Sequence, residues 1–211
     1  MSEVIEQRLA AILVADMEQY SRHMHEDERG TVREWQAIRE EIIKPSMDQF
    51  SGQIIKNTGD GFLAEFKTVS GAVECAVAMQ TLLIARASEA REKPKLKFRM
   101  GINLGEITFD HDDFYGDGVN IAARLEGLSE APGICVSSLV YDQVRKKVNC
   151  SFEDIGEHSV KNIDDPVRVF RIACETVAPK VIESASGTSN EAQMPSIAVL
   201  PFDNMSSDAE Q

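Results

Sequence analysis

The chain has 211 residues, 43% of them hydrophobic and 27% charged, and its 35 acidic residues against 22 basic ones give a formal net charge of −13. This acidic balance excludes a protein that binds duplex nucleic acid through a surplus of basic residues. The apolar run at residues 9–15 is far shorter than the ~20 residues of a bilayer span, so we expect no membrane segment and no secretion signal.

The first elements follow from the spacing of apolar residues. The continuous apolar run at residues 9–15, which ends at Asp16, is typical of a strand buried on both faces. Apolar residues at three- and four-residue steps over residues 28–47 predict an amphipathic helix. Pro45 lies near its end, so we expect a kink in the last turn.

A hairpin and a second helix are predicted next. Short apolar runs at residues 53–56 and 62–66 flank the turn sequence of residues 57–61, which is typical of two antiparallel strands. A helix is predicted from residue 70 to about residue 90. Its inward positions are expected to be Val73, Ala76, Val77, Ala78, Leu82 and Leu83.

The second half of the chain continues the alternation. Residues 97–103 are predicted to form a strand, with residues 105–109 as its hairpin partner and a helix from near Gly118. The later predictions are strands at 134–137, 151–155 and 167–172 and a helix at 139–146. The order β-α-β-β-α-β in the first half indicates an α+β fold in which helices cover one face of a mainly antiparallel sheet.

The periodic pattern stops near Ala178. We therefore predict a folded domain over residues 1–177 and a flexible linker over residues 178–195, which are rich in small polar residues. Residues 196–211 begin with a new apolar run, and a lone strand cannot bury itself. We interpret this run as the first strand of a truncated second domain.

The four cysteines, Cys75, Cys135, Cys150 and Cys174, form no Cys-x-x-Cys pair. Cys75 and Cys135 lie inside apolar stretches, which is typical of buried thiols. We therefore expect a reducing, cytoplasmic location.

Two pairs of polar residues are candidates for chemistry. Asp16 ends the first predicted strand and Asp60 lies in the tight turn, so both carboxylates can meet at one sheet edge and offer hard oxygen ligands to Mg²⁺ or Mn²⁺. Either residue could instead be an ordinary turn or helix-capping aspartate. Asn120 and Arg124 are four apart and share a helix face, where they could contact a sugar and a phosphate or form a solvated stripe.

Four motifs together resemble a known family. They are ILVADM at residues 12–17, KNTGDGF at 56–62, RMGINLG at 99–105 and FYGDGVNIAARL at 114–125. In this order and spacing they resemble the catalytic domain of the class III nucleotidyl cyclases over about residues 8–173. The resemblance implies a ferredoxin-like α+β domain that works as a head-to-tail homodimer. Residues 195–206 similarly resemble the opening of a TolB-like domain, which follows the cyclase domain in some bacterial proteins, so we expect the regulatory or partner-binding part to lie in that further domain.

The resemblance also implies a set of site residues. Asp16 and Asp60 match the two metal-binding aspartates, and the backbone carbonyl of Met17 would help to hold one of two Mg²⁺ (or Mn²⁺) ions per site. Asn120 and Arg124 match the pair that orients the ribose and stabilises the transition state. The glycine often found just after Asp16 is absent from this sequence.

The purine-selecting positions of the family are occupied by Lys56 and Asp113. A lysine donates and a carboxylate accepts, which complements N1 and the N6 amine of adenine, whereas guanine would place its O6 acceptor against the carboxylate. Asp112 is adjacent to Asp113, and the spacing to Asn120 favours Asp113. Lys161 lies near the position of a lysine that contacts the terminal phosphates, in a segment less rich in glycine than the family pattern.

The function expected from this resemblance is an adenylate cyclase. ATP would be converted to 3′,5′-cyclic AMP and pyrophosphate by two-metal-ion, in-line attack of the ribose 3′-oxygen on the α-phosphate, at sites shared across a homodimer. Two alternatives stay open at this point: a guanylate cyclase, or a catalytically silent cyclase-like domain that dimerises or senses nucleotides.

Overall fold

The computed structural model describes residues 6–89, 95–110, 113–159 and 166–173. The chain divides into two units, Met1–Val177 and Ala178–Gln211. The second unit lies outside the described residues, and so do the linker and the TolB-like strand predicted there.

The first unit alternates strands and helices. In chain order its elements are β1 (Glu6–Met17), α1 (Tyr20–Glu26), α2 (Glu28–Ile38), a π-helical turn (Arg39–Ile43), α3 (Lys44–Gln49), β2 (Gly52–Asn57), β3 (Gly61–Phe66), α4 (Val69–Glu89), β4 (Phe98–Asp110), β5 (Asp113–Tyr115), α5 (Asp117–Leu128), β6 (Gly133–Ser137), α6 (Ser138–Val144), β7 (Ser151–His158) and β8 (Val167–Ala173).

These strands form one sheet in the order β2-β3-β1-β4-β6-β8-β7, and the short β5 pairs with the far end of β4. The pairing of β4 with β6 is parallel, and the other described pairs are antiparallel. The α+β class and the mainly antiparallel sheet are therefore confirmed. The central strand β1 is bonded to β3 on one side and to β4 on the other. Both partners are antiparallel to β1, so the first residues of β3 and of β4 lie at the carboxyl end of β1.

Helices pack on both faces of this sheet. Alternate residues of a strand point to opposite faces. Leu13 of β1 belongs to the larger core, which includes residues of α2, α4 and α6, whereas Ile12 belongs to a smaller cluster that includes Ala122 of α5. The prediction that the helices cover one face is therefore wrong, because α5 takes the opposite face from the other helices that pack on the sheet.

The predicted helix at residues 28–47 is divided in the structure. α2 ends at Ile38, a π-helical turn follows, and the N–H of Lys44 donates to the carbonyl of Arg39, five residues earlier. Pro45 has no N–H to donate and its ring would crowd the carbonyl four residues before it. Its effect therefore falls on the turn before the proline rather than in the last turn. The separate helix α1 is not predicted by the apolar spacing of the sequence.

The predicted hairpin within residues 97–109 is also wrong. These residues belong to the single strand β4, and the partner of its far end is β5. Gly105 makes no turn, and instead a Cβ atom at this position would overlap the Cα of Gly118 in α5. The glycine therefore serves close packing of helix on strand.

Helix α4 confirms its prediction in place and length, although Leu82 of its predicted inward face is 48% exposed. α4 is long and apolar enough, by length and composition alone, to cross a membrane. Its apolar residues Val73, Ala76, Met79 and Leu83 are buried in the larger core of the sheet, which accounts for its composition.

Candidate active site

Asp16 lies at the carboxyl end of the central strand. Its neighbours across the sheet are Gly61 on β3 and Arg99 on β4. The Asp16 side chain is 26% exposed, and its Oδ2 accepts a hydrogen bond of 2.6 Å from Nη2 of Arg99. β1 therefore presents this carboxylate in a partly buried position on the face of the sheet that carries α5.

Asp60 lies in the turn between β2 and β3. The N–H of Thr58 donates to the carbonyl of Gly61 at 3.0 Å, and Gly59 has φ +98°, a value that L side chains rarely adopt. A Cβ atom on Gly61 would overlap the carbonyl of Ala15, so only glycine fits there. The predicted hairpin is thus confirmed, and its two glycines allow Asp60 to lie close to β1.

The two predicted aspartates are neighbours in the structure. Asp60 directly precedes Gly61, the cross-strand partner of Asp16, and the carbonyl of Asp60 accepts a 3.0 Å hydrogen bond from the N–H of Met17. The pKa of Asp16 is raised chiefly by burial and further by the charge of Asp60, while the hydrogen bond from Arg99 opposes the rise. The negative charge of Asp60 disfavours the ionised form of Asp16, and a bound cation would relieve this repulsion.

Arg99 links Asp16 to helix α5. Its Nε lies 2.9 Å from Oε1 of Glu126, whose side chain is 12% exposed, while its Nη2 holds Asp16. Burial raises the pKa of Glu126 to about 7 against the attraction of Arg99, and the charges of Asp16 and Asp60 add to the rise. Arg99 is the first residue of the motif at residues 99–105, but the sequence predicts no role for it. Its contacts depend on a strand register that the sequence does not show.

Helix α5 lies almost directly on β4. A Cβ atom on Gly101 would overlap the backbone of Ala122 and Glu126, so α5 approaches the strand at the distance of backbone contact. Asn120 and Arg124 lie on the exposed side of α5, as their spacing predicts. The structure therefore places them on the outer surface of the chain rather than against Asp16.

The remaining predicted residues are more widely spread. Lys56 is exposed on β2 and pairs with Leu63, which brings it to the level of Val14 in the sheet. The backbone of Asp113 lies on β5, at the far end of β4, and β3, β1 and β4 separate β2 from β5. Lys161 lies outside the described residues.

The donor set at Asp16 and Asp60 fits a hard divalent cation. Both side chains offer carboxylate oxygens, the ligands that Mg²⁺ and Mn²⁺ prefer. In the part of the chain that the structure describes, no group of three or more His, Cys, Asp or Glu side chains converges on a metal position. A cation at this pair would therefore complete its shell with backbone oxygen, water or substrate oxygen, which is usual for Mg²⁺.

Comparisons with known proteins show the family and the fold of the chain. The model of the adenylate and guanylate cyclase catalytic domain matches residues 8–173. A Rhizobium meliloti protein named "Putative adenylate cyclase 3" is 41% identical over 99% of this chain, which spans only 36% of the length of that relative. The solved structure of an adenylate/guanylate cyclase/hydrolase from Silicibacter pomeroyi is 42% identical, with a TM-score of 0.74 over 80% of this chain and 98% of the other. The adenylyl cyclase CyaB from P. aeruginosa shares the fold. It is 24% identical, with a TM-score of 0.69 over 80% of this chain and 95% of the other.

Proposed function

The chain belongs to the family of adenylate and guanylate cyclase catalytic domains, and we propose that it converts ATP to 3′,5′-cyclic AMP and pyrophosphate. The observation that carries the proposal is the adjacency of Asp16 and Asp60 at the end of the central strand. The two carboxylates repel each other, so the pair suits a reaction whose substrate binds together with divalent cations. The exposed polar face of α5, which carries Asn120 and Arg124, supports the same function.

The metal site would be held by Asp16, Asp60 and the backbone carbonyl of Met17. We assign it two Mg²⁺ (or Mn²⁺) ions, which when bound lower the pKa of the ribose 3′-hydroxyl and neutralise the charge of the leaving pyrophosphate. Arg99 keeps the Asp16 carboxylate in one orientation through its 2.6 Å hydrogen bond.

Asn120 and Arg124 would act from a second copy of the chain. Their side chains lie on the exposed surface of α5, where another chain can approach them. In a homodimer, Arg124 of each copy would stabilise the charge that develops on the α-phosphate oxygens, and Asn120 would hold the ribose for in-line attack. Each dimer would then contain two equivalent sites, with the aspartates supplied by one copy and α5 by the other.

The choice of ATP would rest on Lys56 and Asp113. Lys56 donates towards N1 of adenine and the carboxylate of Asp113 accepts from the N6 amine. Guanine would leave the carboxylate facing an acceptor, at a cost of about 1–3 kcal/mol, or roughly ten- to hundredfold in rate. Lys161 would contact the terminal phosphates of the nucleotide.

The test is a turnover assay with purified protein. We expect 3′,5′-cyclic AMP from ATP with Mg²⁺ or Mn²⁺, at least tenfold less product from GTP, and loss of activity in Asp60→Asn. Asp142→Asn, the same change at an exposed site on α6, is the matched control and should keep wild-type activity. Activity that survives in Asp60→Asn contradicts the site, equal or faster turnover of GTP contradicts the purine assignment, and binding without turnover identifies a silent domain.

A further inference from the structure

The two peptide groups on either side of Asp60 are each held by one hydrogen bond. Nε1–H of Trp35 donates to the carbonyl of Gly59 at 2.9 Å, and the N–H of Met17 donates to the carbonyl of Asp60 at 3.0 Å. The first bond fixes the peptide plane that precedes Asp60, and the second fixes the plane that follows it. Together they set the direction in which the Asp60 side chain leaves the backbone.

Trp35 is itself rigidly held. Its side chain is on α2, the residue is 7% exposed, and its ring lies 5.5 Å from the ring of Phe98 between centroids. The guanidinium of Arg39 lies over the ring at 5.7 Å. A buried aromatic ring with contacts on its faces keeps its N–H in one direction.

The turn has little other support on the side of Gly59. Apart from Gly59 itself and its two chain neighbours, no heavy atom of the described residues lies within 4 Å of a Cβ built on Gly59, and Thr58 and Gly59 are exposed. The Trp35 hydrogen bond therefore connects the exposed side of the turn to the core of the domain.

We propose that Trp35 is a positioning residue for Asp60, which holds the metal-binding turn in the geometry that accepts the cation. The proposal rests on the function proposed above for its activity readout. Because Trp35 is the single tryptophan of the 211-residue chain, its fluorescence also reports directly on that turn.

The first test is Trp35→Phe, which keeps a six-membered ring near Phe98 and removes the pyrrole part of the indole together with its N–H donor. We expect the Mg²⁺ concentration for half-maximal activity to rise about fivefold, the effect of one hydrogen bond, with kcat at saturating Mg²⁺ close to that of the wild type. Asp142→Asn, at the exposed site on α6, is the control and should stay within about twofold of the wild type. An unchanged Mg²⁺ dependence in Trp35→Phe overturns the proposal.

The second test uses the folded wild type and needs no activity. MnCl₂ is titrated without nucleotide while the Trp35 emission is recorded. We expect a saturable change in the wild type and in the exposed-site control Asp142→Asn, and no change in Asp60→Asn. An unchanged wild-type emission, or an equal change in Asp60→Asn, overturns the proposal.

These two measurements separate the positioning role from the proposed reaction. If no variant, including the wild type, forms a cyclic nucleotide while the Trp35 emission responds to Mn²⁺ through Asp60, the proposed function fails and the positioning role stands. If the wild type is active and the Trp35→Phe and Mn²⁺ results are negative, the positioning role fails alone.

Discussion

Replacement of Glu126 by glutamine should change the pH dependence of stability. In the folded chain, burial raises the pKa of Glu126 from 4.5 to about 7. A folded-state pKa above the unfolded one means that the native state binds the proton more tightly. The contribution of protonated Glu126 to the free energy of unfolding is therefore fully present below about pH 4.5 and is lost as the pH rises through 7. Glutamine has the shape of the protonated acid and does not titrate, so Glu126→Gln removes this loss.

The size of the effect follows from the pKa difference. A rise from 4.5 to about 7 corresponds to about 3 kcal/mol at about 1.4 kcal/mol per pKa unit. The Glu126 side chain is 12% exposed, so water screens little of this energy. Some relaxation around Arg99 reduces it, and we expect about 1–3 kcal/mol, or a Tm difference of about 3–9 °C for a domain of this size.

The assay is thermal unfolding of the wild type and Glu126→Gln at pH 4, 5, 6, 7 and 8. The two proteins should melt together at pH 4, and the variant should melt increasingly higher as the pH rises towards 7. Glu130→Gln changes an acid whose side chain is 85% exposed and should follow the wild type throughout. A Tm difference between Glu126→Gln and the wild type that does not vary with pH would refute the reasoning.

Three further changes test the shared site and its support. Co-expressed Asp16→Ala and Arg124→Ala chains, each inactive alone, should recover about a quarter of wild-type activity. Half of randomly formed dimers are mixed, and each mixed dimer contains one intact site of its two. Heterodimers that form and stay inactive would contradict a shared site. In Asp113→Asn the preference for ATP over GTP should fall about tenfold, because an amide can donate as well as accept, and an unchanged kcat/KM ratio for the two nucleotides would contradict this assignment. Gly101→Ala should lower the free energy of unfolding, measured with denaturant, by about 1–3 kcal/mol, because the new Cβ overlaps the backbone of Ala122. An unfolding midpoint equal to that of the wild type would show that α5 can move away from β4.

The elements that sequence reasoning predicted well are those with a strong local pattern. The apolar run before Asp16 and the glycine-rich turn at Asp60 each give a local signal, and the structure has a strand and a hairpin there. The adjacency of the two aspartates was an expectation from sheet topology, and the register confirms it. Their chemical roles, and those of Asn120 and Arg124, stay proposals.

The elements that sequence reasoning missed depend on contacts between distant segments. The sequence around Gly105 resembles a strand end because glycine is common in turns, yet in the structure this glycine allows the close approach of α5. Trp35 resembles an ordinary core residue of an amphipathic helix, and its hydrogen bond to Gly59 appears only when the turn is placed against α2. Arg99 likewise meets Asp16 through the pairing of β1 with β4, and it meets Glu126 through the packing of α5.

The backbone contact between α5 and β4 limits how this domain can be controlled. Side chains that separate a helix from a sheet can change rotamer and let the helix slide, but at Gly101 and Gly105 no such layer exists. The helix and the strand must therefore shift as one rigid body. In the proposed homodimer, a regulatory signal that reaches Arg124 would therefore act by turning one copy of the chain against the other, which is a change of quaternary geometry.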